Sequence, residues 1–277
     1  VVGLVGSEMC IRDSVYVADT WNHRLQKYTL DGEYVATFGM SGSPSDDATG
    51  EGLGLFFGPR SIILVNDDRL LVTDTGNHRM QLLDRDGNFL QQIGSFGNLL
   101  GQMNEPVGLG QGPDGSIYLA DTWNSRIQQF SPDMFALSEW LVDAWDGTSI
   151  NNKPYTAVDS AGRVYVTDPE GYRVLVFNPD GTYLARFGTF GTGLDNFGLP
   201  NGIAIDDQDN VYIADSGNNR ILKFAPIFGK AFTHNTGEEN PLDSGGADAA
   251  GEELDGGNEA EAADEELPTA AAPDGEG

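Results

Sequence analysis

Asp19, Asp74, Asp121, Asp168 and Asp215 stand 55, 47, 47 and 47 residues apart, and each is followed five residues later by an arginine: Arg24, Arg79, Arg126, Arg173 and Arg220. A register this regular marks an internal repeat, and the repeat limits the fold more than any local motif does. The segments that carry it are VYVADTWNHRLQKY (15–28), LLVTDTGNHRMQLL (70–83), IYLADTWNSRIQQF (117–130), VYVTDPEGYRVLVF (164–177) and VYIADSGNNRILKF (211–224). They are rich in β-branched and aromatic residues, as strands are.

Each period reads as four short strands. The first opens at Pro59, Pro106, Pro154 or Pro200, the second and third flank the Asp-to-Arg segment, and the fourth ends near Phe38, Ile93, Trp140 or Phe187. Asp31-Gly32, Asp86-Gly87 and Asp180-Gly181 predict tight hairpins between strands three and four. The third copy has Asp133-Met134 there and is expected to turn differently. In the third strand, Leu25 and Tyr28, with their counterparts Met80/Leu83, Ile127/Phe130, Val174/Phe177 and Ile221/Phe224, lie three apart. They therefore point to opposite faces, and both faces of each sheet need cover. Four-stranded sheets buried on both sides and repeated at this period describe propeller blades around an axis.

The D-x-x-[NG]-x-R core, with Asn-His-Arg at 22–24 and 77–79, resembles the NHL repeat over residues 15–235. The resemblance implies an all-β fold, a β-propeller of four-stranded blades. It also implies six blades where five are visible, so the chain reads as a truncated propeller, with a genuine five-bladed ring as the rival account. Residues 1–14, ending in SEMCIRDS, match the repeat poorly and are set apart as at least partly artefactual. Residues 236–277 are mostly Gly, Ala, Asp and Glu, too poor in apolar side chains to offset the entropy of ordering, and read as a disordered acidic tail.

The net charge is −28. Residues 225–277 hold 14 acidic side chains and one lysine, which leaves 29 acidic and 14 basic residues in 1–224. A propeller this acidic repels phosphate backbones, which argues against nucleic acid. Cys10 is the single cysteine, so no internal disulfide and no cysteine-rich zinc site can form, and no apolar run is long enough to span a bilayer. Localisation is left open, with an extracytoplasmic or secreted setting preferred, and the oligomeric state is left open too.

The Asp–Arg pairs recur in every blade, whereas catalysis needs an asymmetric set. They are therefore read as structural, each carboxylate held by a guanidinium. His23 and His78 share one repeat position, and His234 lies in the C-terminal stretch. Peptidyl-hydroxyglycine amidating lyases resemble this repeat and hold zinc with histidines, but no such set can be placed here, so the expectation is no catalytic residue, no metal and no cofactor. The Asp-rich turns at 84–88 and 206–210 lack the EF-hand pattern, and turn formation explains them more simply than calcium does.

What remains is a loop-rich face. If the first strand is innermost, one face carries Trp21, Asn22, His23, Asn77, His78, Trp123, Asn124, Tyr172, Asn218 and Asn219. The connectors add Phe56, Phe57, Phe96, Asn98, Asn104, Phe190, Asp195 and Phe197. Aromatic and amide side chains on loops suit recognition of a protein or a glycan. Phe57 and Phe197, close to the prolines, are expected to tuck beneath their loops, and Trp21 and Trp123 to be exposed. The expected function is a non-catalytic binding or scaffold module. The alternatives are a propeller enzyme of the lyase or hydrolase kind and a sensory or docking domain of a larger, membrane-anchored protein.

Overall fold

The computed structural model describes residues 10–11, 14–43, 52–66, 68–145 and 153–228, all within the compact unit Val1–Phe232. The acidic stretch 236–277, His234 and most of 1–14 lie outside the described residues. Within them the strands form five sequential antiparallel sheets, and the fold is an all-β propeller. Blade 1 comprises β1 (Cys10–Ile11), β2 (Ser14–Asp19), β3 (Arg24–Thr29) and β4 (Tyr34–Phe38). A short parallel pair, β5 (Met40–Ser41) and β6 (Leu55–Phe56), closes the connector to blade 2. Blade 2 comprises β7 (Pro59–Val65), β8 (Arg69–Asp74), β9 (Arg79–Asp84) and β10 (Phe89–Ile93). Blade 3 holds β11 (Pro106–Gln111), β12 (Ile117–Asp121), β13 (Arg126–Phe130) and β14 (Ala136–Leu141). Blade 4 holds β15 (Thr156–Val158), β16 (Val164–Asp168), β17 (Arg173–Phe177) and β18 (Tyr183–Phe187). Blade 5 has three described strands, β19 (Pro200–Ile205), β20 (Val211–Asp215) and β21 (Arg220–Phe224).

The core is the set of seams between blades. Tyr16 and Leu25 of blade 1 meet Ile62, Leu70 and Val72 of blade 2. Ile63 and Leu71 of blade 2 meet Leu109 and Leu119 of blade 3. Tyr118 and Ile127 meet Val164 and Val166, and Tyr165 and Val174 meet Val211 and Ile213. The alternation of a strand sends neighbouring residues into successive seams, which is why both faces are apolar. Each fully buried Leu, Ile or Phe contributes about 1.5–3 kcal/mol, so the seams hold the array. The register also shows where the array stops. Leu25, Met80, Ile127 and Val174 are 0% exposed, whereas Ile221, their equivalent in blade 5, is 70% exposed. Among the described residues nothing covers that face.

One expected difference is absent. The third copy turns like the others: Met134 N donates to Ser131 O at 2.9 Å, as Gly87 N does to Asp84 O at 3.1 Å. Met134 adopts φ +67, the left-handed conformation that glycine supplies elsewhere. Its side chain is buried in the blade 2–3 seam, and that packing offsets the backbone strain.

Candidate functional site

The strand two-to-three loops and the four-to-one connectors share one face because the Asp–Arg pairs of blades 2, 3 and 5 grip the connector entering their own blade. Arg Nε donates to Asp Oδ2 at 2.8, 2.9, 2.8, 2.7 and 2.9 Å in blades 1 to 5. The other carboxylate oxygen accepts from the connector backbone: Phe57 N for Asp74, Asn104 N for Asp121 and Gly198 N for Asp215, each at 2.7 Å. The guanidinium fork holds connector carbonyls, those of Gly52 and Leu55 for Arg79, and of Asn98, Leu99 and Gln102 for Arg126. The pair is thus a clamp on main chain, a connection the repeat pattern alone did not reveal. Burial pushes the Asp74 and Asp121 carboxyls up, and hydrogen bonds from backbone, asparagine and arginine pull them part of the way back. Asp215 is also burdened by burial, but its bonds from Asn218, Leu199 and Gly198 bring it below the ordinary value.

The loop asparagines belong to the same clamp. Asn77, Asn124 and Asn218 each donate to the Asp of their blade and to Gly42 O, Gly97 O or Gly191 O of the connector. Asn22 donates to both oxygens of Asp19. Their amides are committed to the loop, which moves the weight of recognition to the aromatics. His23, His78, Ser125, Tyr172 and Asn219 occupy one repeat position in the left-handed region. His23 Nδ1 accepts from Gly58 N at 2.9 Å, and its ring stacks on Phe57 at 4.8 Å. His78 and Tyr172 meet Phe96 and Phe190 edge-on, each at 4.8 Å.

Trp21 is 79% exposed and Trp123 45%. Phe96 and Phe190 also stand in solvent. Phe56 and Phe197 are buried, but Phe57 is 51% exposed, contrary to the expectation that it tucks under its loop. The buried column is Phe56, Met103 and Phe197, and Phe57 is one residue out of phase with it, where blades 3 and 5 carry Asn104 and Gly198. The opposite face carries the hairpin turns. It is not wholly polar, since Leu30 and Phe135 are exposed there.

Sequence reasoning passed over one group, the residues flanking the strand-opening prolines. They differ from blade to blade: Gly58 and Arg60, Glu105 and Val107, Lys153 and Tyr155, Leu199 and Asn201. That asymmetry is the signal that would have found them. Lys153, 3% exposed, donates to Glu105 Oε2 at 2.7 Å and lies 5.4 Å from the Trp123 ring centre. Glu105 N donates to His78 Nδ1 at 3.1 Å. Burial pushes the Tyr155 phenol of blade 4 up, and the charge of Arg60 from blade 2 opposes that rise. Burial alone would push the Glu105 carboxyl up; the hydrogen bond and charge of Lys153 outweigh it and leave Glu105 below the usual value. Burial pushes the Lys153 ammonium down, opposed by Glu105 and reinforced by the charge of Arg60. Glu105 holds φ +51, the conformation that Gly58 supplies in blade 2, so its position carries about 1–2 kcal/mol of backbone strain. Around Glu105 gather the His78 ring, the Lys153 ammonium and, beside Lys153, the Trp123 indole.

Among the described residues no three His, Cys, Asp or Glu side chains converge as metal ligands do. In the Asp-rich turns, Asp84 Oδ1 accepts from Asp86 N and Asn88 N, and Asp206 Oδ1 from Gln208 N and Asn210 N. Among the described residues no helix is long and apolar enough to cross a membrane.

The NHL repeat profile matches residues 103–130 and 197–224, the first three strands of blades 3 and 5 with the ends of their connectors. Among solved structures, the chain is similar to a streptogramin B lyase at 17% identity and a TM-score of 0.54, over 80% of this chain and 64% of that one. It is similar to a gluconolactonase of Xanthomonas campestris at 17% identity and 0.52, over 78% and 73%. It is also similar to a chain of the nidogen/laminin complex at 18% identity and 0.56, over 80% and 75%. At these identities the likeness is one of fold. The chain spans less than two thirds of the length of the streptogramin B lyase.

Proposed function

Because this chain is an NHL-repeat β-propeller, we propose that it is a non-catalytic binding module that takes a protein or a glycan on its connector face. The observation that carries this reading is the set of solvent-facing rings on that face, namely Trp21, Phe57, Phe96, Trp123 and Phe190, each on a loop pinned by a buried or half-buried clamp. Rigid loops that hold aromatic rings in water lose little entropy when they bind, and such rings tend to dominate interface energies. The similarity in fold to a chain of a protein–protein complex fits this reading.

A second reading is favoured by the cluster of His78, Glu105 and Lys153, the kind of asymmetric set that catalysis requires, and by the fold shared with a lyase and a lactonase. A third, a docking domain of a larger assembly with a sixth blade, is favoured by the uncovered face around Ile221. Binding of the full chain to immobilised glycans and to candidate extracellular proteins, repeated with Trp21→Ala and Trp123→Ala, tests the leading proposal. Loss of about 2 kcal/mol or more from at least one variant supports it. Normal binding by both, with activity on an ester or lactone that disappears in Glu105→Gln, favours the enzyme.

A further inference from the structure

Blade 4 carries the clamp without its load. In blades 2, 3 and 5 the carboxylate accepts from a backbone N–H of the incoming connector, whereas Asp168 Oδ1 accepts from Gly171 N of its own loop at 3.2 Å. Gly171 stands where the other blades have Asn22, Asn77, Asn124 and Asn218, so the loop amide is missing as well. Arg220 holds the carbonyls of Thr192, Gly193 and Asn196, as Arg79 and Arg126 hold theirs. Arg173 donates only through Nε, to Asp168. Among the described residues its two Nη groups have no partner, and they are open to solvent, the side chain being 27% exposed. The start of the connector turns aside instead: Trp145 is buried in the blade 3–4 seam and donates Nε1 to Thr167 O at 3.2 Å.

A cavity of about 340 Å³ lies between the end of β14 and the third and fourth strands of blade 4. Arg173 and Arg186 both line it. In the register Arg186 faces Leu175 as Gln92 faces Gln81 and Glu139 faces Gln128. Those two counterparts are acceptors for the guanidinium: Arg79 Nη1 donates to Gln92 Oε1 at 2.7 Å, and Arg126 Nη1 to Glu139 Oε2 at 2.5 Å. Blade 4 has thus exchanged the acceptor for a second cation at a position that reaches the first. Arg186 is exposed, and among the described residues it has no ion pair or hydrogen bond.

The other end of the cavity is apolar. Phe177 lies four residues along β17 from Arg173, about 13 Å at the rise of a strand. There it pairs with Tyr183, the ring centres 5.9 Å apart and edge-on. Leu175, Leu141 and Val142 line the stretch between. Two cations at one end and two rings at the other match an anion with an apolar body, and a planar carboxylate suits the fork of a guanidinium. Exposed Asp143 also lines the cavity, pairs with neither arginine and opposes an anion.

We propose that this cavity binds an amphipathic organic carboxylate, with its charge on Arg173 and Arg186 and its apolar body along Leu175 toward Phe177 and Tyr183. The inference goes beyond the recognition of a protein or glycan on the connector face and does not rest on it.

The test is calorimetric titration of the full chain with hydrocinnamate, hydrocinnamamide and acetate. Hydrocinnamate is expected to bind. The amide, which lacks the charge, and acetate, which lacks the ring, should each bind at least about tenfold more weakly. Arg186→Gln should weaken hydrocinnamate at least about tenfold and leave Tm unchanged, because Arg186 holds nothing else. Arg186→Glu copies the Arg126–Glu139 pair of blade 3 and should abolish binding in a folded chain. Asp143→Asn should tighten binding several-fold. No binding of hydrocinnamate, equal binding of the amide or of acetate, or unchanged affinity in Arg186→Gln or Arg186→Glu overturns the proposal, and so does weaker binding in Asp143→Asn.

Discussion

Arg126→Ala removes the guanidinium that holds three connector carbonyls and the Asp121 carboxylate at once. Asp121 is fully buried and Arg126 nearly so, so the variant leaves a desolvated carboxylate without its cation. Breaking a buried pair from one side costs about 3–5 kcal/mol. At about 2–4 °C per kcal/mol for a domain of this size, that is a fall in Tm of about 6–20 °C. Arg24→Ala is the control. Its pair has the same geometry, but Arg24 is 39% exposed and Asp19 21%, and a solvated pair is worth about 0–1 kcal/mol. The assay is urea and thermal denaturation of the full chain at pH 7 and again near pH 5. Burial holds the Asp121 pKa above its unfolded value, so the folded state takes up the proton first as the pH falls. The deficit of Arg126→Ala should therefore shrink toward pH 5, as the stranded carboxylate is neutralised. Equal losses from Arg126→Ala and Arg24→Ala, or a deficit that grows on acidification, would refute the clamp argument.

The seams predict that Ile127→Ala costs about 2–5 kcal/mol in chemical denaturation, whereas Ile221→Ala, at the same repeat position on an uncovered face, changes stability by less than about 0.5 kcal/mol. Gly87 and Gly32 share one turn position and a positive φ. A Cβ on Gly87 would meet Phe38 at 2.2 Å, while one on Gly32 meets nothing within 4 Å, so Gly87→Ala should lower Tm well beyond Gly32→Ala, which carries only the backbone strain of about 1–2 kcal/mol. The side chain of Asn210, with backbone N–H groups and Tyr212, holds the Asp206 pKa down to about 2 against an ordinary 3.8. The stability it contributes is present above pH 4 and is lost as the pH falls toward 2, so Asp206→Asn should flatten that part of the acid-unfolding profile followed by circular dichroism.

The blades were legible because a strand's side-chain period is short and the repeat restates it five times. The clamp was half legible. The carboxylate and the guanidinium declare themselves by spacing, but the groups they hold at Gly52, Leu55 and Asn98 are main-chain carbonyls with no residue signature. The turn at Met134 was misread because methionine rarely adopts a left-handed φ, and seam packing overrode that preference. Phe57 was misread because its closeness to Pro59 outweighed the column Phe56, Met103 and Phe197, which marks the inward position. The cluster around Glu105 was missed for a related reason. A search for what repeats passes over Glu105 and Lys153, whose interest lies in their differing.

Hydrogen exchange of the full chain, with and without a saturating partner, tests the binding face most directly. The account predicts slowed amides across the strand two-to-three loops at 20–24, 75–79 and 122–126 and the connectors at 95–104 and 189–198, with no change in the hairpin turns at 29–33, 84–88, 131–135 and 178–182. Protection centred on those turns, around Leu30 and Phe135, with unchanged exchange near Trp21 and Trp123, would place recognition on the opposite face and contradict the account.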